Sequence, residues 1–557
     1  MSNISILAWQ PLLRPPLPDE EPPAVPDVPL KALTCRNAIT SVAALVTSDE
    51  PVEDARIVFS DLIGPEGRIP ASAIAVRVVG VVPTPEAGVV CDPLFEVDEF
   101  DVDKAAALYA NITIPGGIPA GTYTGTVEVV VNELTAAQNS VEVEVAAVDL
   151  PDVHDWSFVM NVWMNPATIA YRHCVDVWSD KHFALLKPYI QDLAAHGQKT
   201  AVVPICFQPW GLQLRQPCAS AVVWKRRGES WEFDFTAFDT YIALHHECGI
   251  DRAIHCYSPV QSPGCSGQSI IEYIDLDTGK KGHMVLQAGD DEYKQVWSAF
   301  LVALKKHLEE KSWLNKTYIA FNEKCDKVTQ VLMTLIEEYA PDLKIAVTAS
   351  ETINVINRID DLSVFGLFND RGIAVMAPTE RRAMGVADLL DPNNVCSITK
   401  RCPEKMTTTF YIASGPSHPN TFAFSPVVEA RMLPFLAMQG GYDGILRWAY
   451  NDWPDDAYED MQWVEPWAVS PSGDAYLVYP GEKGPVSSLR WEQLREGIQD
   501  FELAVIASSN MQTPDEMVDY EQAITLACRD IDGRVKSTGD IEIARRLLIP
   551  IAAHQSE

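Results

Sequence analysis

The chain is poor in positive charge. Among 557 residues, 43 are Lys or Arg against 77 Asp or Glu, a formal net charge of −34. That balance argues against a nucleic-acid partner, because phosphate backbones are bound by a basic face. It also disfavours anionic substrates, favours solubility and is silent on fold. No apolar run is long enough to span a bilayer. Met1 to Gln10 lacks the basic start and long apolar core of a signal peptide, so a cytoplasmic protein is favoured. A secreted or periplasmic one stays open if a leader was removed. The 12 cysteines are scattered and form no Cys-x-x-Cys pair, which predicts neither a disulfide framework nor a structural zinc site. They read as mostly buried thiols. His245-His246-Glu247-Cys248 lacks the His-Glu-x-x-His spacing of a helical metal site and reads as a helix surface. Gly264-Cys265-Ser266-Gly267 is no nucleophile elbow, and no phosphate-cradling loop is present. No cofactor and no metal are expected.

What is present is enough for a large core: 47% of residues are hydrophobic and 22% charged. The length predicts two or three domains. Residues 1–29 form a Pro-rich, acidic arm. Residues 30–150 read as strands separated by turn signals such as Pro115-Gly116-Gly117, a β-sandwich whose role is packing or a carbohydrate-binding wall. After Leu150-Pro151 the pattern changes, and apolar runs alternate with amphipathic helical stretches to about residue 510. The runs begin at Phe158, Thr200, Arg252, Thr317, Lys344, Val364, Thr407 and Gly444. Strand and helix in alternation predict an α/β fold, a (β/α)8 TIM-like barrel over 151–510. A doubly wound sheet is the alternative, without a glycine-rich dinucleotide loop to support it. Residues 511–557 read as a helical extension packed on the barrel.

In such a barrel, functional side chains emerge at the carboxyl ends of strands. Those positions hold Trp163 and Asn165, then Tyr257, then Asn322 and Glu323, then Asn369 and Asp370, and finally Trp448, Tyr450, Asp452 and Trp453. Rings mixed with amides and carboxylates suit a sugar, whose flat faces stack and whose hydroxyls need donors and acceptors. The apolar strand Tyr318-Ile-Ala-Phe321 that ends abruptly in Asn322-Glu323 is the sharpest of these. Glu323 is a candidate proton donor and Asn322 a candidate orienting group. A Glu that merely caps the next helix or pairs with Lys324 is the plainer reading.

Four stretches carry a resemblance: Gly121-Thr-Tyr-Thr-Gly-Thr-Val, Trp178-Ser-Asp-Lys-His-Phe, Gly441-Tyr-Asp-Gly-Ile-Leu-Arg-Trp-Ala, and Ser488-Leu-Arg-Trp-Glu-Gln-Leu-Arg-Glu-Gly-Ile-Gln-Asp-Phe-Glu. Through them, residues 30 to 510 resemble glycoside hydrolase family 123, the β-N-acetylgalactosaminidases. The charges of the last stretch (Arg490, Glu492, Arg495, Asp500, Glu502) fall at helical spacings and should fix the final helix rather than touch substrate. The resemblance implies a sandwich followed by a barrel, and release of terminal β-linked N-acetylgalactosamine from a glycan or glycolipid. It also implies a substrate-assisted route in which the 2-acetamido oxygen is the nucleophile. Carried over by position, Glu323 is the acid/base, and its neighbour holds the acetamide.

The family's neighbour is Asp; here it is Asn322. An amide oxygen still accepts an N–H but brings no full charge to an oxazolinium, a difference of a few kcal/mol in a desolvated site. The exchange is compatible with a natural active enzyme, with altered specificity or weak turnover, and with a substitution made to trap substrate. The competing reading is a carbohydrate-binding protein of the same fold. Within enzymes, the fallback is a two-carboxylate hydrolase using Glu323 with Asp370 or Asp452.

Overall fold

Short runs rich in Val, Ile and Ala, apolar on both faces, are what a parallel sheet between a filled interior and a helical shell requires. Eight such strands form one parallel sheet in the computed structural model, which describes residues 3–24, 26, 28–261, 265–349, 358–365, 367–368, 374–375, 406–464, 469–528 and 538–554. In chain order they are β1 (Val159–Val162), β2 (Thr200–Pro204), β3 (Ala253–Tyr257), β4 (Thr317–Asn322), β5 (Lys344–Ala349), β6 (Asp361–Phe365), β7 (Thr407–Ile412) and β8 (Gly444–Arg447). From β2 to β8 each pairs with its neighbour in sequence, and β8 returns to β1. The seam between β1 and β2 holds a single bridge, Met160 to Gln198. There the Gln198 side chain stands in for a ladder, accepting from Val162 N at 2.8 Å and donating to Val162 O and Thr200 O. The result is a nearly closed barrel. Gly444 lets β8 approach β1: a Cβ there would sit 1.9 Å from the Val159 carbonyl oxygen.

Period-two alternation sorts the side chains. Ile319 and Phe321 face the helices, while Ala320 joins Trp163, Tyr257, Phe365, Tyr411 and Leu446 inside. The described helices outside are α1 (Pro166–Arg172), α2 (Asp180–Ala195), α3 (Thr236–Glu247), α4 (Asp291–Glu310), α5 (Asp326–Tyr339), α6 (Val427–Gly440) and α7 (Leu489–Asn510), followed by α8 (Pro514–Ala527) and α9 (Gly539–Ala552). Ser179 and Ser488 cap α2 and α7 through their hydroxyls, and Thr513 with Glu516 makes a capping box on α8. Val364 to Phe368 as a strand is displaced: β6 begins earlier, at Asp361, and ends at Phe365. His245 is buried against Tyr241 rather than on a helix surface.

Two N-terminal sheets enclose a second core of Val42, Val46, Leu62, Ile112, Tyr123, Val127 and Val143. The arm is not wholly extended: Ile4–Trp9 pairs antiparallel with Ala38–Ser48 as an edge strand. The first sheet also takes in Pro485–Ser488, whose Ser487 and Ser488 pair with Leu94 and Pro93, so the chain returns to it just before α7. A four-stranded sheet of Val223–Arg227, Ser230–Asp234, Gln268–Asp275 and Lys281–Gln287 lies between β2 and α4 and has no counterpart in the sequence reading.

The charges of α7 are structural, as their spacing predicts. Arg490 pairs with Asp92 at 3.0 Å and Glu492 with Arg77 at 2.8 Å, both reaching the N-terminal sheet. Asp500 and Glu496 hold Arg431 of α6 at 2.8 and 2.9 Å, and Glu502 accepts from Phe158 N at 2.8 Å. Burial pushes the Glu492 carboxyl up, but Arg495 and Arg77 beside it hold it at about 2. Gly497 allows the close crossing with α6, since a Cβ would lie 2.4 Å from the Arg431 carbonyl oxygen.

The cysteine expectation needs one correction. Cys35, Cys91, Cys206, Cys218, Cys256 and Cys528 are buried thiols, but Cys265 and Cys325 form a disulfide, 60 residues apart. Neither residue carries a pairing signal in the sequence; the loop after β3 and the start of α5 meet only in the fold.

Candidate active site

The carboxyl ends of β1, β3, β4, β7 and β8 converge on one cluster. Tyr318, Ala320 and Asn322 point inward along β4, so regular alternation would turn Glu323 out to the helices. It does not, because Glu323 has a left-handed backbone with φ 47°. That conformation is uncommon for a residue with a Cβ and is held where surrounding structure fixes it. Here Glu323 N donates to Thr348 O at 2.7 Å, and the Tyr411 hydroxyl from β7 donates to Glu323 Oε1 at 2.5 Å. Two consecutive residues thereby both turn to the inside of the barrel, Glu323 through its contact with Tyr411. Lys324, next in sequence, is buried, which pushes its amine down to about 7 against the pull of Glu323.

Asn322 is 3% exposed. Its Nδ2 donates to Gln213 Oε1 at 3.1 Å, and its Oδ1 is buried with no hydrogen-bond partner among the described residues. Such an acceptor is costly to bury unless a ligand meets it.

Aromatic rings gather in the same inner cluster as Ala320 and Tyr411. Trp163 lies 5.6 Å from the Trp210 ring and 4.8 Å from Tyr257. Trp163, Trp210, Leu214, Trp448, Asn165 and Asp452 line a small cavity at the mouth of the barrel. The indole N–H groups of Trp163 and Trp210 are buried without partners among the described residues. Burial raises the Tyr257 hydroxyl far above its usual range, so it stays neutral.

The remaining candidates divide. Asn165 caps α1 by accepting from Ala167 N, and its Nδ2 donates to Asp452 Oδ1 at 3.1 Å. Asp452 is 1% exposed and accepts from Arg215 N at 3.0 Å, fixing the turn that carries Gln213. Both build the site's edge. Tyr450 and Trp453 turn away from the cluster: the Tyr450 hydroxyl donates to Asp192 at 2.6 Å, and the Trp453 indole donates to Val478 O. They pack on Tyr189 of α2, on the helical side of the strand end. Asn369 and Asp370 lie outside the described residues.

Sequence reasoning missed Tyr411, Trp210 and Gln213. Tyr411 was within reach, because it sits at the penultimate, inward position of an identified strand. Trp210 and Gln213 lie in an irregular connection after β2 with no motif. Among the described residues, no three His, Cys, Asp or Glu side chains are grouped to hold a metal ion, and no helix is long and apolar enough to cross a membrane.

Comparison with known proteins adds the following. Residues 163–507, more than half of the chain, match the family model "Glycoside hydrolase 123, catalytic domain". A sequence search of curated proteins finds no match. Among solved structures, a family 123 glycoside hydrolase from Clostridium perfringens, described in a study of glycolipid glycan hydrolysis, superposes with a TM-score of 0.81 at 21% identity, covering 99% of this chain and 98% of the other. A Bacteroides ovatus GH5 xyloglucanase aligns over 84% of this chain and 98% of its own at 10% identity, with a TM-score of 0.28.

Proposed function

Given that the chain belongs to glycoside hydrolase family 123, we propose that it releases terminal β-linked N-acetylgalactosamine by a substrate-assisted, retaining mechanism on a (β/α)8 barrel. The observation that carries this reading is the adjacent pair at the end of β4: a buried amide oxygen without a partner among the described residues, and beside it a carboxyl that the left-handed backbone at Glu323 brings to the Tyr411 hydroxyl inside the barrel.

The roles follow from the chemistry. Asn322 Oδ1 accepts the acetamide N–H and aims the acetamide oxygen at the anomeric carbon. That oxygen attacks as the glycosidic bond breaks, and Glu323 gives its proton to the departing oxygen. An oxazolinium results, and it keeps its N–H proton in the hydrogen bond to Asn322 Oδ1, since an amide oxygen is no base for it. Water then adds at the anomeric carbon while Glu323 takes back a proton, so the configuration is retained. Tyr411 donates to the Glu323 carboxylate as it forms. The rings of Trp163, Trp210, Tyr257 and Trp448 wall the sugar, and the two free indole N–H groups suit hydroxyl acceptors. The aglycone is a glycan or glycolipid; hydrolysis of glycolipid glycans by the Clostridium perfringens relative favours the latter.

Hydrolysis of 4-nitrophenyl N-acetyl-β-galactosaminide tests the reading. Wild type should turn the substrate over, and Glu323→Gln should lose about 10²- to 10⁴-fold in kcat, because the base that activates water for the second step is gone, while still binding the sugar. An undiminished rate in that variant would remove Glu323 from the role. A second reading, sugar binding without turnover, rests on the amide at position 322 and ends if wild type releases product.

A further inference from the structure

A carboxylate that holds an acetamide N–H needs no orienting, since both of its oxygens accept. An amide does: one end accepts and the other donates, and only the accepting end can hold an N–H. The exchange of carboxylate for amide at position 322 therefore creates a requirement the family's usual pair lacks. Something must hold the NH2 end away from the sugar.

One side chain is placed to do so. Gln213 Oε1 accepts from Asn322 Nδ2 at 3.1 Å, leaving Oδ1 buried and without a partner among the described residues. Gln213 ends a tight turn, Gly211–Gln213, that is itself fixed from two sides. Gly211 N donates to Gln208 O at 2.8 Å, and Arg215 N donates to Asp452 Oδ2 at 3.0 Å. The Arg215 guanidinium also holds the Gln462 carbonyl. Asp452 is anchored in turn by Asn165. A chain of contacts thus runs from the end of β8, through the turn, to one nitrogen of Asn322.

We propose that Gln213 is a positioning residue that locks the Asn322 amide with its oxygen toward the acetamide. The inference rests on the substrate-assisted reading above and assigns Gln213 no contact with the reacting atoms. Its consequence is specific: position 213 must accept a hydrogen bond. Shape alone does not suffice.

The test compares Gln213→Met, which keeps length but accepts weakly, with Gln213→Glu, which can only accept. Each is measured for kcat and KM on 4-nitrophenyl N-acetyl-β-galactosaminide and for affinity toward the galacto-configured thiazoline, a stable mimic of the cyclised intermediate. Losing one orienting hydrogen bond should lower kcat and thiazoline affinity about tenfold in Gln213→Met, with KM and melting temperature little changed. Gln213→Glu should restore both to within about threefold of wild type. A Met variant equal to wild type, or a Glu variant as poor as the Met variant, overturns the inference and leaves the proposed function standing. A wild type that neither hydrolyses the substrate nor binds the thiazoline overturns the proposed function and this inference with it.

Discussion

Tyr411→Phe removes one hydroxyl from the site and nothing else. That hydroxyl donates to Glu323 Oε1 at 2.5 Å, and the ring stays packed on Phe365 at 5.1 Å, so the variant should fold normally. A hydrogen bond to a charged acceptor contributes about 1.5–3 kcal/mol, against about 1 kcal/mol or less for a neutral one. In the proposed mechanism Glu323 is protonated before glycosidic cleavage and anionic after it. The bond therefore strengthens along the reaction and favours the transition state by part of that difference, about 1–2 kcal/mol, or roughly 5- to 30-fold in rate. The loss must depend on the leaving group. A nitrophenolate departs with little protonic help, so Tyr411→Phe should cost it about threefold or less, whereas an alkyl or sugar aglycone should show the full loss. The assay is kcat/KM for both substrate types in both proteins. Equal losses on the two would refute the argument, because a hydroxyl acting through the proton donor cannot be blind to how much proton donation the leaving group needs.

Other expectations follow from the same structure. Burial, with Asp443 and Asp360 nearby, pushes the Asp361 carboxyl up to about 7. The folded state then keeps a proton that the unfolded chain has released, so stability falls as pH rises from about 4 to about 7. Asp361→Asn should gain on the order of a few kcal/mol over wild type at pH 8 and much less at pH 4, read from melts at both; an equal difference contradicts it. Arg431→Met leaves Glu496 and Asp500 in the α6–α7 contact with one cation fewer and should cost about 3–5 kcal/mol, seen as a clear drop in melting temperature. A loss below about 1 kcal/mol would mean the remaining contacts of that network suffice. Cys265→Ser opens a tether spanning 60 residues and should destabilise by about 4 kcal/mol, with the disulfide itself checked by non-reducing peptide mapping. Alkylation of both cysteines as free thiols would contradict the pairing.

Much of the barrel was legible because its strands are short, apolar and separated by amphipathic helices, a pattern set by burial on both faces. All eight runs became strands, with β6 shifted to Asp361–Phe365. The four-stranded insertion was not legible. Its strands alternate weakly and are split by residues 235–267, so no local pattern announces it. The edge strand Ile4–Trp9 was hidden by the prolines that follow. At the site, Glu323 and Asn322 stood out because polar residues at the end of an apolar strand are conspicuous. Tyr450 and Trp453 were credited by composition, but the chain leaves β8 at Arg447 and the irregular segment that follows turns them toward Tyr189 and Asp192 of α2. The left-handed turn at Glu323, the disulfide and the Gln213 contact are properties of tertiary placement. Each joins segments whose sequences carry no mark of the other.

In the proposed mechanism the substrate's own acetamide is the nucleophile. The most direct test is a series of 4-nitrophenyl β-galactosaminides whose N-acyl group carries zero to three fluorines. Fluorine withdraws electrons from the carbonyl oxygen and weakens it as a nucleophile without removing the group that Asn322 holds. With the acetamide as nucleophile, kcat falls steeply with each fluorine, by orders of magnitude across the series. A rate indifferent to fluorination would contradict it and assign the nucleophile to a carboxylate of the protein.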